Sequence, residues 1–511
     1  MNSNLTDHDR FQELQNLLTQ RWKQVDIFDD DDQDILVVPS FSIDQRVGNK
    51  VDGFLHYEER LLFSLIRLRN PGTRLIYITA QPLSPIIIDY YLQMLLGIPF
   101  SHARKRLTLL TTYDNSLKPL TQKILERPRL VKKIKNSLRP DKSYMVCFNS
   151  TSLEEELSLQ LNIPLLACDP NLSYWGSKSG SREIFQQCQM KHPDGSALLH
   201  TVDDLITQTA FLLKRKPELQ KVVIKLNEGF SGEGNAILDV SGITPLFRQD
   251  ISLNYQKSLI NQIINEAQVQ GEGETWRTFR TRIPELGVIV EEFVGGEEKF
   301  SPSVQGYITP DGQVKILSTH DQILDGKDGQ VYLGCRFPAK DEYRLQIQEL
   351  GLQVGAELAK KGAIERFGVD FLAVKENDQW QLWAIEINLR KGGTTHPFMT
   401  LKLLTNGNYN YEDGLFYSVE QKAKYYIASD NLQKPQYHGL LPDDLMDIVV
   451  NNQLHFDSTT KTGTVFHLMG ALSEFGKIGL TSIGNSWQEA QEIYQKVEYI
   501  LDQETEEKKI N

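Results

Sequence analysis

Cysteine is scarce. The four in 511 residues, at 147, 168, 188 and 335, form no C-x-x-C pair, which removes a disulfide framework and the clustered thiolates of a zinc site. Each lies in or beside an apolar run, the place expected of a reduced core thiol. Cys335, within Tyr332 to Pro338, has no recognisable activating base nearby. A basic excess is also lacking: 55 Lys+Arg stand against 67 Asp+Glu, a net charge of −12, so the electrostatic footprint of a nucleic-acid or membrane-surface protein is absent. Long hydrophobic runs are missing too. The most apolar window, Ile86 to Phe100, is interrupted by Asp89, Tyr90, Gln93 and Pro99 and falls short of the roughly 20 residues that cross a bilayer. Residues 1–30 are polar and acidic, without the apolar stretch of a secretion signal. A cytoplasmic protein with no membrane and no nucleic-acid partner is expected. Asp29 to Asp32 with Asp34 form an acid run, expected to be a solvated tip because like charges in a row repel. There is no G-x-x-x-x-G-K-[ST] loop, no G-x-G-x-x-G loop and no internal repeat.

What is present alternates. Apolar runs at Ile35–Val38, Leu75–Ile78, Leu107–Leu110, Tyr144–Phe148 and Leu165–Cys168 read as buried strands, separated by helical stretches near Tyr57–Arg69, Pro85–Leu96, Leu120–Lys135 and Leu153–Leu161. Strands separated by helices predict an α/β domain with a parallel sheet covered on both faces, over residues 1–175. Residues 176–405 carry the motifs described next. They divide into a small hairpin-bearing subdomain at about 196–295, with a polar helical stretch from Leu246 to Gln268, and a larger lobe at about 296–405. Asn406 to Gly414, rich in Asn, Gly and Tyr, is expected to be a linker to a small C-terminal region, 406–511, that ends in a helix from Trp487 to about Leu501.

Three segments carry chemistry. In Trp383-Ala384-Ile385-Glu386-Ile387-Asn388-Leu389-Arg390, Glu386 and Asn388 share one face of a strand. Asp370 lies upstream in its own apolar run, Val369 to Val374, placed to be the facing strand of a hairpin. Three oxygen donors on adjacent strands suit Mg²⁺, which is usually held by one or two carboxylates plus nucleotide phosphates. The second segment is Val222 to Ala236: a β-branched run ends at Lys225, then opens into a loop holding Glu228, Gly229, Ser231, Gly232 and Gly234. Glycines let backbone N–H groups turn toward a phosphate, and Lys225 adds a point charge. In the third, Val288 to Glu298, an apolar strand runs into Glu291 and Glu292 and then a Gly-Gly turn. It reads either as an ordinary strand end or as a hinge whose backbone pairs with an adenine edge.

Taken in chain order the segments resemble the ATP-grasp superfamily, and the chain is more closely similar to the pheganomycin-type peptide ligases with a pre-ATP-grasp N-terminal domain. The closer likeness rests on Tyr174-Trp175-Gly176-Ser177-Lys178-Ser179-Gly180-Ser181-Arg182, Phe300-Ser301-Pro302-Ser303-Val304-Gln305, Glu386 through Pro397, and Phe466-His467-Leu468-Met469-Gly470-Ala471-Leu472. The resemblance implies an ATP-grasp fold of two α+β subdomains behind the N-terminal parallel-sheet domain. It implies ATP and Mg²⁺, with Mn²⁺ as a substitute ion, as cofactors. Lys178 and Lys225 become nucleotide lysines, Glu291, Glu292, Phe293 and Val294 the adenine hinge, and Glu298, or its neighbour Glu297, the ribose carboxylate. Asp370, Glu386 and Asn388 become the metal ligands. Many family members have an arginine two residues before the metal aspartate, where this chain has Gly368. Arg390 is therefore the better candidate for the transferred phosphate, ahead of Arg366.

The implied chemistry is phosphoryl transfer to a carboxylate, followed by attack of an amine on the acyl phosphate, with the protein supplying position and charge. Arg390, Lys391 and His396, directly after the metal strand, are the catalytic candidates. His396 reads either as a base for the amine or as a structural hydrogen-bonder before Pro397; His320 reads as structural. Small-molecule carboxylate and amine substrates are expected, amino acids or peptides among them, and a homodimer is compatible. Two other readings stay open: the same fold with another nucleophile or with phosphorylation alone, and a nucleotide-binding protein without catalysis.

Overall fold

The computed structural model describes residues 6–22, 32–43, 48, 50–228, 234–271, 273–296, 298–325 and 331–506. Its N-terminal strands are β1 (Asp34–Val38), β2 (Arg74–Thr79), β3 (Leu107–Thr111) and β4 (Ser143–Cys147). They form a parallel sheet in the order β3-β2-β1-β4. Alternate residues feed two cores, as a sheet covered on both faces requires. Leu36, Val38, Ile76, Ile78 and Met145 pack on one side, and Ile35, Val37, Leu75, Tyr77 and Tyr144 on the other. The helix expected near Tyr57–Arg69 is a 3₁₀ helix, Phe54–Arg69. The stretch Leu120–Lys135 breaks at Pro128 into Leu120–Leu125 and Pro128–Ser137, because proline opens a helix more readily than it continues one. Thr151 and Glu154 close a capping box on Ser152–Leu161.

Two expectations are corrected here. Leu165–Cys168 is no strand; only Leu165 bridges to Met145 beside β4. Asp34 is no part of a solvated tip: it is fully buried and pairs with Arg139 at 2.7 Å, because it has become the first residue of β1.

The small subdomain is an antiparallel sheet of β5 (Lys221–Leu226), β6 (Asn235–Asp239), β7 (Gln268–Val269) and β8 (Val288–Glu292), ordered β7-β6-β5-β8. It has a core of its own, with Leu205, Val222, Ile224, Phe279 and Val290 among its members. The larger lobe contains β9 (Lys299–Phe300), β10 (Pro302–Ile308), β11 (Val314–Asp325), β12 (Val331–Phe337), β13 (Glu365–Glu376) and β14 (Gln379–Asn388). The expected linker is instead a hairpin, β15 (Asn408–Asn410) with β16 (Leu415–Tyr417), and it leads into β17 (Ala423–Gln433), β18 (Gly463–His467) and β19 (Lys477–Gly484). Since β17 pairs with β12, lobe and C-terminal region share one 11-stranded sheet. The helix Trp487–Glu506 lies across β17 and β19. One core joins Leu61, Leu65 and Tyr91 of the N-terminal domain to Phe337, Phe398, Tyr426, Phe466 and Leu480. No helix among the described residues is long and apolar enough to cross a membrane.

The helix Lys178–Gln187 starts where the N-terminal domain meets the lobe, with Ser177 as its cap. A methyl group added at Gly180 would lie 2.0 Å from the Tyr174 carbonyl oxygen, so the turn Tyr174–Trp175 and the helix start meet backbone to backbone. Gly180→Ala should push this start aside and carry Lys178 with it. If Lys178 holds nucleotide, as the sequence resemblance implies, ATP binding should weaken by roughly tenfold or more in calorimetric titration, with the circular dichroism of the fold retained, because misplacement of about 1 Å is costly at a preorganised site. Wild-type affinity would show that the helix start yields without moving Lys178.

Candidate functional site

A cleft opens between the two subdomains, and the register of β13 with β14 builds its floor. Asp370 stands opposite Glu386, and Gly368 opposite Asn388, with a bulge just after Asp370. Asn388 Nδ2 donates to Asp370 Oδ2 at 3.0 Å, and Gln322 of β11 donates to Asp370 Oδ1 at 2.7 Å. Burial, then the Glu386 charge, pushes the Asp370 carboxyl up to about 7. Lys178 Nζ answers that charge, 2.7 Å from Glu386 Oε1. Asn227, at the end of β5, accepts from the Lys178 and Ser179 amides at 3.1 and 2.9 Å through its backbone and side-chain oxygens, and so joins the small subdomain to the Lys178 helix.

The opposite wall belongs to β5 and β8. Lys225 and Arg182 both reach the fully enclosed Glu291, at 2.6 and 2.7 Å. Burial alone would raise the Glu291 carboxyl; the two cations hold it below its ordinary value. Glu292 accepts from the Asp194 amide at 2.8 Å and pairs with Lys216 at 2.5 Å. Both carboxylates of the expected hinge are thus paired with protein cations. Phe293 and Val294 line the cleft with Val223, Leu372 and Ile385, and Lys221 and Lys299 sit 5.5 and 5.2 Å from the Phe293 ring centre.

Of the residues expected from the sequence, Lys178, Lys225, Gly234, Glu291, Glu292, Phe293, Val294, Asp370, Glu386, Asn388 and Arg390 line this one cleft. Burial lowers the Arg390 pKa, against the pull of Glu386 and Asp370. Glu228 is exposed where the hairpin loop begins; Gly229, Ser231, Gly232 and Glu297 lie outside the described residues. Glu298 is exposed and pairs with Lys375 at 3.3 Å, apart from the cleft lining.

Two placements differ from the catalytic reading, those of Lys391 and His396; for His396 the structural alternative fits. Lys391 turns away from the cleft to Glu365, 3.0 Å from its Oε1, while its amide donates to the Phe148 carbonyl at 3.2 Å. His396 opens the helix Thr395–Thr405 and is buried behind the lining, its Nε2 3.0 Å from both Asp430 Oδ1 and His467 Nε2. Burial pushes it down to about 4, so it is neutral near pH 7. Arg366 is buried beside Glu365 and Met399. His320 is structural as read, enclosed with its Nε2 2.6 Å from the Tyr426 hydroxyl. The Cys335 thiol is buried and pushed up to about 12, so it stays protonated.

The sequence reading missed Arg60 and Phe148, which reach the cleft from the N-terminal domain, and Gln322 and Lys299. For Arg60 a signal existed. Glu58, Glu59 and Arg60 interrupt a helical stretch that is apolar on all sides, and three buried charges there need a reason.

Residues 170–412 match the family model described as IQCH-like, ATP-grasp, and residues 444–497 match the PGM1 C-terminal domain. The L-propargylglycine–L-glutamate ligase of Streptantibioticus cattleyicolor is 29% identical over 467 residues, 88% of this chain and 90% of that protein. The IQ motif-containing protein H of Danio rerio is 23% identical over 416 residues, 74% of this chain but 39% of that protein. Among solved structures, the ADP complex of an N5-carboxyaminoimidazole ribonucleotide synthetase superposes with a TM-score of 0.50 at 11% identity, covering 92% of this chain and 96% of its own. Rhizobium etli pyruvate carboxylase gives 0.52 at 13% identity, over 90% of this chain and 36% of its own. Residues 170–412 are thus matched as an ATP-grasp domain.

Glu291→Ala would leave Lys225 and Arg182 enclosed without their counter-charge. Breaking such a pair commonly costs about 3–5 kcal/mol, and a lower Tm by scanning fluorimetry is expected. A carboxyl held below its ordinary value stabilises above the ordinary glutamate range and loses that contribution as pH falls through its lowered value. The gap between wild type and variant should therefore narrow in acid. A gap that widens toward low pH would contradict the assignment.

Proposed function

We propose that this ATP-dependent ligase activates a small carboxylic acid, of the amino-acid class, as an acyl phosphate and joins it to the amine of a second small molecule. The observation that carries the reading is the convergence, in one cleft, of Lys178 and Lys225 with Asp370, Glu386, Asn388 and Arg390. The 29%-identical relative, whose name joins two amino acids, supports the substrate class.

Adenine would lie against Val223, Phe293, Val294, Leu372 and Ile385, with the phosphates between Lys225 and Lys178. The donor set fits a hard cation. Asp370 and Glu386 repel across register-paired positions, and Asn388 adds an amide oxygen once its side chain turns. Mg²⁺ suits three oxygens of this kind, and Mn²⁺ accepts the same donors. Bound there, the ion would neutralise charge on the terminal phosphates. Lys178 would exchange Glu386 for a phosphate oxygen, and Lys225 would exchange Glu291 likewise. The carboxylate oxygen of the substrate attacks the γ-phosphorus and ADP leaves. The amine nitrogen then attacks the acyl carbon, phosphate leaves, and the nitrogen gives up a proton. Arg390 faces the atoms on which charge shifts in both steps. Lys391 and His396 contribute as supports of the loop Gly392–Thr394 rather than as contacts to substrate.

The test is product analysis: ADP and phosphate should appear only when carboxylate and amine are both present. ADP without an amine requirement would point to phosphorylation alone or another nucleophile, and AMP with pyrophosphate would sink the mechanism. Glu386→Gln should abolish turnover while leaving the nucleotide-free Tm near wild type. Arg390→Ala should slow product formation by about 10²–10³, the usual cost of losing a preorganised donor, with ATP affinity little changed. Lysine there should rescue only in part, since a point charge lacks the guanidinium fork. Wild-type rates in Arg390→Ala would remove that residue from the chemistry.

A further inference from the structure

We infer that Arg60, brought by the N-terminal domain, is the recognition residue for a carboxylate of the amine substrate that is not itself activated, facing Arg390 across the inner end of the cleft. The inference rests on the ligase reading and deepens it.

Arg60 is 6% exposed, lines the cleft, and has an Nε without a hydrogen-bond partner. One corner of its guanidinium is tied to Asp430 Oδ2, and its Cζ lies 4.0 Å from the centre of the Tyr57 ring. Asp430 is in turn held through Oδ1 by His467 Nε2 at 2.6 Å and His396 Nε2 at 3.0 Å. Burial alone would raise the Asp430 carboxyl, but Arg60 and the histidines keep it well below its ordinary range. The guanidinium is thus held through Nη2, while its Nε is left without a partner. A buried donor left unpaired is costly, and a rigid fork matches a carboxylate in two-point geometry. Arg60 also repels Arg390 within the same cleft, and an anion between them would remove that repulsion.

The topology points to the same place. In the N-terminal sheet β1 lies between β2 and β4, so the direction of winding reverses there. Open parallel sheets bind ligands beyond the carboxyl ends of the strands at such a point. Phe148, the residue after β4, lines the cleft with Arg60 5.9 Å from its ring centre.

His396, Asp430 and His467 offer three ligand atoms close enough to surround a metal. A metal-bound histidine almost always donates its other ring N–H, and the buried His396 Nδ1 has no partner. Asp430 is also shared with Arg60. The cluster is therefore assigned as the anchor of Arg60.

The full chain, loaded with Mg²⁺ and a non-hydrolysable ATP analogue, is titrated calorimetrically with proteinogenic amino acids and with the same compounds as carboxamides. Wild type should bind at least one amino acid and discriminate against its carboxamide. Arg60→Gln should lose roughly tenfold to a hundredfold in that affinity, the range for a hydrogen-bonded charge, and with it the discrimination, while affinity for the analogue stays unchanged. Arg60→Lys should recover part of both. Asp430→Asn should weaken amino-acid binding while sparing the analogue. Absence of any amino-acid binding by wild type, or discrimination that survives in Arg60→Gln, overturns the inference. So does stoichiometric metal in the purified protein that is lost in His467→Ala. The ligase reading fails separately, by AMP and pyrophosphate release from wild type.

Discussion

Asp370 and Glu386 face each other across the β13–β14 ladder, and much of the structure answers that one repulsion. Two carboxylates at register-paired positions in an enclosed floor cannot both ionise without cations nearby. The helix Lys178–Gln187 supplies one, with Lys178 2.7 Å from Glu386. The bend just after β14 supplies another in Arg390, whose charge acts on Asp370. The small subdomain repeats the arrangement around Glu291, with Arg182 coming from the Lys178 helix and Lys225 from β5. Both lysines rest on carboxylates, which keeps a strongly charged cleft folded. On the function proposed above, a phosphate would have to displace those contacts, and its affinity would be lower by their strength.

How far the sequence foretold this depends on whether a residue acts along the strand or across the fold. Asp370, Glu386 and Asn388 were legible because alternation in a strand fixes which side chains share a face. Lys225 was legible because a strand-terminal lysine before a glycine loop has few other uses. The parallel sheet at the N-terminus was legible from apolar runs between helical stretches. Arg60 and Phe148 were not assigned, because they lie more than 200 residues before β13 and β14 in the chain, and periodicity says nothing about which domains touch. Lys391 and His396 were placed in the cleft because they follow the metal strand in sequence. The chain turns at Gly392, and both side chains go to the seam with Glu365 and Asp430 instead. The C-terminal region was read as a separate piece because residues 406–414 have a linker's composition. Nothing local shows that β17 pairs with β12.

The seam carries a second lesson. His396 comes from the lobe, Asp430 and His467 from the C-terminal strands, and Arg60 from the N-terminal domain. One buried carboxylate thus collects contacts from three parts of the chain. A neutral histidine at that position serves better than a charged one, since Arg60 already supplies the positive charge next to Asp430.

The continuity of the 11-stranded sheet has a consequence for how this protein diversifies. The ATP-grasp match ends at residue 412, but β17 covers the edge of β12, so a chain severed there would present an unpaired strand edge, a template for aggregation. A cut at that boundary is therefore penalised, because the strands on either side of it belong to one sheet. On the assignment of Arg60 made above, substrate range would change instead by point replacement along the N-terminal seam, where a new side chain would alter what is recognised and leave the β13–β14 floor untouched.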